Sequence, residues 1–428
     1  MKAAILAIGD ELTSGLTTDT NSPWLAMRLR EHGVTAGEIR VVSDDRPIIA
    51  RAISDLARER ELLCITGGLG PTPDDLTRDA LGDVVTPGIP LEIDAEALTA
   101  IERWFGRSGR VMPAMNARQA ERPRGAAMLP NDRGTAPGIE LVWHGCRVIA
   151  MPGVPAEMKP MFERSVQRSV QGEALLLQSV HTFGMGESDL ATLLGDLLAR
   201  GRSPQLGTGA GGGIVSVRAY GEEAQQTEIE RTLKEVERRA WPYAFGRDDA
   251  TLASSLATIL LERGQSLATA ESCTGGLLGA MLTEVPGSSR WYAGGWITYS
   301  NALKERELAI STELLEHAGA VSSEVANAMG EGALRTSSAD LSLSITGIAG
   351  PDGGTDRKPV GTVFIACSRR QGDRIETRTR QFLFIGERDE IRHRSAQTAV
   401  QIARFTLLGV DPAIPLLREV VNRPGVPQ

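Results

Sequence analysis

The stretch Ser266–Glu284 leaves the fewest folds open. An apolar run, Ser266–Ala270, leads into A-E-S-C-T-G-G (Ala270–Gly276), and a helical stretch, Leu277–Glu284, leads out. A strand, a tight turn and a helix start satisfy that order. Backbone N–H groups at a helix start carry partial positive charge and can hold an anion or an oxyanion. Ser272 or Cys273 would lie beside them, which is the minimum equipment for acyl transfer.

A serine nucleophile needs a base. The five histidines, His32, His144, His181, His317 and His393, sit in no motif-like setting. One strand later, the aromatic and β-branched run Trp291–Ser300 ends in Y-S-N-A-L-K, Tyr299–Lys304. A lysine acts as a base when burial or a nearby cation lowers its pKa. Ser272, Lys304 and Tyr299 then form a serine–lysine group, with Tyr299 relaying a proton or holding geometry. On spacing alone, Lys304 also reads as a solvated helix lysine. Cys273 is the rival nucleophile, but no histidine is placed to pair with it.

The first third alternates strands and helices: Lys2–Ile8, a helix from Ser22-Pro23 to about His32, Val34–Val42, Pro47–Arg60 and Glu61–Thr66. That alternation implies a parallel α/β sheet whose ligands bind beyond the carboxyl ends of the strands. The loops there hold Asp10-Glu11, Asp44-Asp45 and G-G-L-G-P-T-P-D-D-L-T, Gly67–Thr77. Gly67, Gly68 and Gly70 would let backbone approach a phosphate, and Asp74 and Asp75 could hold a divalent metal. Thr72 or Asp74 also reads as a cap for a helix beginning near Asp75. Glu92–Arg107 is an amphipathic helix, His144 sits in a hairpin turn, and a helix is expected through Met161–Val170. G-T-G-A-G-G from Gly207 matches a dinucleotide fingerprint only formally, because it precedes a strand, Gly213–Tyr220; it reads as a hairpin turn. Glu222–Arg239 reads as a solvated helix. Arg388–Leu407 is a closing helix whose Arg388 and Arg392, at i and i+4, could reach one anion.

Length suggests two to four domains. The net charge of −8 carries no long basic block, which speaks against direct nucleic-acid binding. No apolar run is long enough to span a membrane. Cys64, Cys146, Cys273 and Cys367 are widely separated, without a C-x-x-C, which favours a reducing cytoplasm and no structural zinc.

The motifs together resemble a known family. A-E-S-C-T-G-G, Y-S-N-x-x-K and Thr346-Gly347-Ile348-Ala349-Gly350-Pro351 look like the nicotinamide mononucleotide deamidase family, which forms the C-terminal domain of the competence/damage-inducible CinA proteins. Leu303 stands where that family often has alanine. G-D-E-L, T-D-T-N, the Gly67–Thr77 motif, N-D-R-G-T-A-P-G (Asn131–Gly138) and P-G-V-P-A-E-M (Pro152–Met158) resemble the N-terminal domain of the same family, whose fold is shared with molybdopterin-binding proteins.

The resemblance implies a multidomain α/β protein: a molybdopterin-binding-like parallel-sheet domain over 1–170, a small α+β domain over 171–247 and an α/β deamidase domain over 248–428. It implies hydrolysis of the carboxamide of nicotinamide mononucleotide by Ser272 with Lys304 and Tyr299. Thr274, Gly275, Gly276, Asn301, Thr346, Gly347, Gly350, Arg388 and Arg392 would hold that substrate, and no cofactor is expected there. For the first domain it implies hydrolysis of ADP-ribose to AMP and ribose 5-phosphate. Gly67, Gly68 and Thr72 would lie at that substrate, and Asp10, Glu11, Asp74 and Asp75 at a divalent ion (Mg, Mn or Co). The alternatives are a nucleotide- or pterin-sensing module without turnover, and a DNA-uptake factor. The resemblance further suggests a cytoplasmic homodimer acting on small nucleotides.

Overall fold

The computed structural model describes residues 1–107, 109–166 and 175–420, and the chain divides into two compact units, Met1–Leu176 and Leu177–Gln428.

In the first unit a six-stranded sheet runs in the order Thr35–Val42, Lys2–Ile8, Leu62–Thr66, Cys146–Met151, Gly138–Trp143, Ala127–Leu129. The first four strands are parallel, and Gly138–Trp143 is antiparallel to both neighbours. The expected parallel sheet is therefore mixed, because a two-residue hairpin at His144 and Gly145 reverses the chain. Both residues have the positive φ that such a turn demands (48° and 80°). From Ala3 to Ile8 the chain's first strand is buried on both faces. Ala4 and Leu6 meet Ile53 and Leu56 of the helix Arg46–Glu59, while Ala3 and Ile5 meet Leu25, Leu29 and Phe162.

The helix Asn21–Glu31 starts differently from the Ser22-Pro23 reading. The Asp19 carboxylate accepts from the N–H of Asn21 and of Ser22, each at 3.0 Å, so Asp19 closes this end. The helix expected through Met161–Val170 runs Pro155–Val166; residues 167–170, the expected domain junction at 170–171 and Ala174 lie outside the described residues.

The second unit holds two sheets. A four-stranded one has the order Gln205–Gly211, Ile214–Glu222, Leu175–Phe183, Ala244–Arg247. The glycine run lies in its first strand, and the turn itself is Gly212-Gly213 (φ 58° and 84°). The charged helix Gln226–Arg239 is not solvated all round: Ile229, Leu233 and Val236 make a buried stripe.

The five-stranded sheet has the order Tyr292–Ile297, Leu267–Glu271, Leu341–Gly347, Thr362–Gln371, Arg374–Leu383. Its first three strands are parallel. Leu256 and Leu260 of the helix Leu252–Arg263, with Ala399 and Ala403 of the helix Arg388–Leu408, share a core with Leu343 and Ile365. Val325, Met329 and Ala333 of the helix Ser323–Thr336 pack with Ala270 in a separate cluster. Glu271 pairs with Ile297 on one side and Ile345 on the other, so the parallel strands end together. The loops beyond them, 272–276, 298–300 and 348–361, are thereby gathered at one end of the sheet.

Candidate active site

The strand Leu267–Glu271 is wholly buried and stops at Glu271. Ser272 donates its N–H to Ile345 O at 2.9 Å, and the Gly275 N–H returns to Ser272 O at 3.1 Å. Gly275 and Gly276 have φ of 60° and 95°, the left-handed region glycine enters without strain, and this tight turn brings the chain into the helix Leu277–Thr283.

Lys304 comes from the helix Asn301–Leu308, whose start is closed by the Ser300 hydroxyl accepting from the Leu303 N–H at 3.2 Å. Its side chain is 1% exposed. The Nζ lies 3.1 Å from Ser272 Oγ and donates to Thr298 O at 2.8 Å. No carboxylate is within ion-pair distance of Lys304 among the described residues. Burial therefore disfavours its ammonium form and lowers its pKa. A buried amine within hydrogen-bond reach of a serine hydroxyl is the arrangement general-base catalysis needs. The solvated-lysine reading of Lys304 is excluded by this burial.

Cys273 is buried too, and burial pushes its thiol up to about 12. Among the described residues Lys304 Nζ bonds Ser272 Oγ and makes no hydrogen bond to Cys273, which leaves Ser272 the better-supported nucleophile.

The helix start is occupied differently from the expectation. Glu271, 2% exposed, folds its carboxylate under the turn. Its Oε2 accepts from the N–H of Gly276 and of Leu278, both at 3.0 Å, and its Oε1 from Gly279 at 2.8 Å. The N–H groups of Gly275 and Gly276 are thus both bonded within the protein, to Ser272 O and to Glu271 Oε2. Glu271 was missed by reasoning from sequence. A carboxylate ending an otherwise apolar strand, five and eight residues before glycines, was the available signal.

The remaining expected residues fall into two groups. Arg388 and Arg392 do meet the motif loops. Arg388 donates from Nη2 to the Tyr299 hydroxyl at 3.2 Å and from Nη1 to Gly350 O, and Arg392 Nη2 donates to Thr274 O at 2.9 Å. Tyr299 is 59% exposed and bonds Arg388, with no bond to Ser272 or Lys304 among the described residues. The Thr274 hydroxyl is buried without a hydrogen-bond partner, as is that of Thr298. The Thr346 hydroxyl donates to Ala320 O at 2.7 Å. Gly347 is needed by the sheet, since a Cβ there would lie 2.7 Å from Val363 Cγ2. Asn301 is exposed at its helix start.

In the first unit the expected loops converge. Gly9 N–H donates to Val42 O at 3.0 Å, and Asp10 and Asp44 exchange bonds, each carboxylate accepting the other's N–H at 2.8 and 3.1 Å. Asn21 Nδ2 ties T-D-T-N to Thr66 Oγ1 at 3.0 Å and to Gly153 O at 2.7 Å. The glycines, however, are required by contacts within the protein itself. A Cβ on Gly67 would sit 2.1 Å from Ile8 O, and one on Gly68 2.2 Å from Thr77 Oγ1. The Gly67 N–H donates to Met151 O at 3.0 Å. Thr72 is not a helix cap: the helix starts at Thr77, and Thr72 donates its N–H (2.8 Å) and its hydroxyl to Asp75 Oδ2.

The expected metal ligands do not assemble into a cage. Both Asp75 oxygens are taken, Oδ1 by the Gly70 N–H at 2.7 Å and Oδ2 by Thr72. Asp75 thereby closes its own loop. Asp44 has its pKa raised, by burial first, with the charges of Asp10, Glu11 and Asp74 adding to it against a bond from the Asp10 N–H. The carboxylates crowd at Coulombic range without meeting at ligand range: among the described residues no group of three His, Cys, Asp or Glu side chains could hold a metal ion. Arg78 was also missed by the sequence reading. It is 1% exposed, donates to Leu69 O and to Gly70 O (2.7 Å), and burial lowers its pKa to about 10.

Fold and site together define a multidomain α/β protein that carries a buried serine–lysine pair. Residues 249–407 match the family described as CinA C-terminal domain, 4–171 the probable molybdopterin binding domain, and 178–246 the damage-inducible protein CinA KH domain. A CinA-like protein of Geobacter sulfurreducens is 39% identical over 417 residues, covering 95% of this chain and 100% of its own. A CinA-like protein of Citrifermentans bemidjiense is 39% identical over 412 residues, covering 95% and 98%. The solved structure of competence/damage inducible protein CihA from Agrobacterium tumefaciens shares 39% identity over 37% of this chain and 93% of its own, with a TM-score of 0.35. The chain belongs to the CinA family. Among the described residues no helix is long and apolar enough to cross a membrane.

Proposed function

We propose that the C-terminal part of the chain is an amidohydrolase acting on nicotinamide mononucleotide. The observation that carries this reading is the Lys304 amine, 1% exposed and 3.1 Å from Ser272 Oγ. Neutral Lys304 takes the Ser272 proton as Oγ attacks the carboxamide carbon. The tetrahedral intermediate collapses with the C–N bond breaking, and the Lys304 ammonium returns its proton to the leaving nitrogen as ammonia. Water then attacks the acyl ester, giving its proton to Lys304, and nicotinate mononucleotide leaves as Ser272 recovers a proton. The Thr298 carbonyl keeps Lys304 Nζ aimed throughout.

The test is ammonia release from nicotinamide mononucleotide by the intact chain. Ser272→Ala and Lys304→Ala each lower kcat by about 10²–10⁴, the range for a lost nucleophile or base, whereas Cys273→Ala keeps most activity. Loss confined to Cys273→Ala would make the site a thiol amidase.

A second reading concerns the first unit, where the crowding of Asp10, Glu11 and Asp74 around Asp44 favours a ligand that relieves negative charge. ADP-ribose with a divalent ion is the ligand implied by resemblance. AMP release with Mg²⁺, Mn²⁺ or Co²⁺, lost in Asp74→Ala, supports turnover; nucleotide binding without AMP release supports a sensing module. Neither reading assigns a DNA-binding role.

A further inference from the structure

The glycine turn of the small sheet meets the rest of the second unit beside a cleft that holds none of the motif residues. Gly213 (φ 84°) stands so close that a Cβ there would lie 3.3 Å from Gln397 Oε1 and 3.3 Å from Phe183 Cε2. Ile214, the next residue, lines the cleft together with Leu252, Met281 and Val285, and all four pack into the unit's main core. The volume is about 440 Å³, within the range of about 300–1,000 Å³ usual for small-ligand sites. Charge in the lining has one sign. Asp249 and Glu284 line the cleft, and no Lys, Arg or His does. Neither carboxylate has an ion pair or a hydrogen bond among the described residues. Glu284 also stands at the C-terminal end of the helix Leu277–Thr283, where exposed carbonyls repel it. Gln397 Oε1 is buried and lacks a donor. The start of the helix Leu252–Arg263, which would favour an anion, is closed by the Thr251 and Ser254 side chains.

We propose that this cleft is a binding site for a small organic cation, a primary ammonium carried on an apolar body. The apolar floor takes the body out of water, and the flexible Met281 adjusts to its shape. An ammonium supplies three donors and no acceptor, which suits a cleft that presents two carboxylates and an amide oxygen without partners. Charge-assisted hydrogen bonds are about twice as strong as neutral ones, so the cation gains where an alcohol of the same shape gains little. An anion would meet two charges of its own sign. The Gln397 oxygen gives the same answer independently of the acids. A buried acceptor without a donor costs stability, and a ligand N–H removes that cost. None of the residues of the serine–lysine site lines the cleft, so occupancy is read without turnover.

The probes are phenethylammonium, phenethyl alcohol and phenylacetate, which share an aromatic body and differ in charge. The full chain is isotope-labelled at its methionine methyl groups and followed by nuclear magnetic resonance. The sequence has 11 methionines, and Met281→Leu identifies the Met281 resonance. Phenethylammonium is expected to shift that resonance saturably, phenethyl alcohol to bind about tenfold or more weakly, and phenylacetate to leave it unmoved. Gln397→Leu lowers the affinity for the ammonium by about tenfold or more. Asp249→Asn combined with Glu284→Gln lowers it by about threefold to fivefold, the size of an exposed ion pair, and high salt reproduces that loss in the unmodified protein. Asp249 and Glu284 are both exposed, so the double variant keeps its fold. No saturable shift with phenethylammonium, an equal affinity for the alcohol, or an affinity untouched by all three substitutions would overturn the proposal.

Discussion

Lys304 is charged in water and 1% exposed in the fold, and its chemistry follows from that conflict. Burial lowers its pKa below the ordinary lysine value of 10.5. If it is the base, kcat/KM for the deamidation rises with pH as Lys304 loses its proton, with a midpoint below 10.5, and Lys304→Arg, which stays protonated, falls by about 10² or more without showing that rise. Stability follows the same sign. Between the lowered folded pKa and 10.5 the unfolded chain binds more protons at this site, so stability rises with pH across that window. Denaturant titrations in that window should show the rise in the unmodified protein and lose it in Lys304→Met. Ser272 and Lys304 were legible through the motifs A-E-S-C-T-G-G and Y-S-N-x-x-K and their family resemblance, since spacing alone left Lys304 open to reading as a solvated helix lysine. Glu271 was not, since a glutamate before a serine reads as polar punctuation until the strand's burial turns it inward.

At the scale of elements, two carboxylates do structural work by accepting backbone N–H groups. Glu271 supplies the acceptors that the start of Leu277–Thr283 lacks. Glu271→Ala strands its three N–H donors in a buried place, so unfolding free energy should fall by about 2–4 kcal/mol in denaturant titration, with Glu271→Gln losing less. Asp75 closes the Gly70–Thr72 turn in the same way. Asp75→Ala should cost about 1–2 kcal/mol of stability, as a lost cap does, and leave metal affinity unchanged in calorimetric titration with Mn²⁺. The strands and most helices followed from periodicity. The parts that did not follow include residues whose partners lie far along the chain: Thr346 turned to Ala320, Gly67 fitted to Ile8. Local pattern carries no record of such partners.

Across the second unit, the helix Arg388–Leu408 links the site to the small four-stranded sheet. Its first turns hold the motif loops, while farther along Gln401 Nε2 donates to Phe183 O at 3.0 Å and Arg404 to Ala244 O at 3.2 Å. Arg404 is 3% exposed and also bonds Ser255 and Gln401. Arg404→Ala leaves those acceptors unpaired, and the full chain should lose about 2–4 kcal/mol in the transition that reports the second unit. The central claim for the molecule is an acyl-enzyme on Ser272. The most direct measurement is mass spectrometry of the intact protein quenched during turnover of nicotinamide mononucleotide, followed by peptide mapping. The account predicts a nicotinyl mononucleotide ester on the Ser272 peptide, absent in Lys304→Ala. An adduct on Cys273, or ammonia release that survives Ser272→Ala, would contradict it.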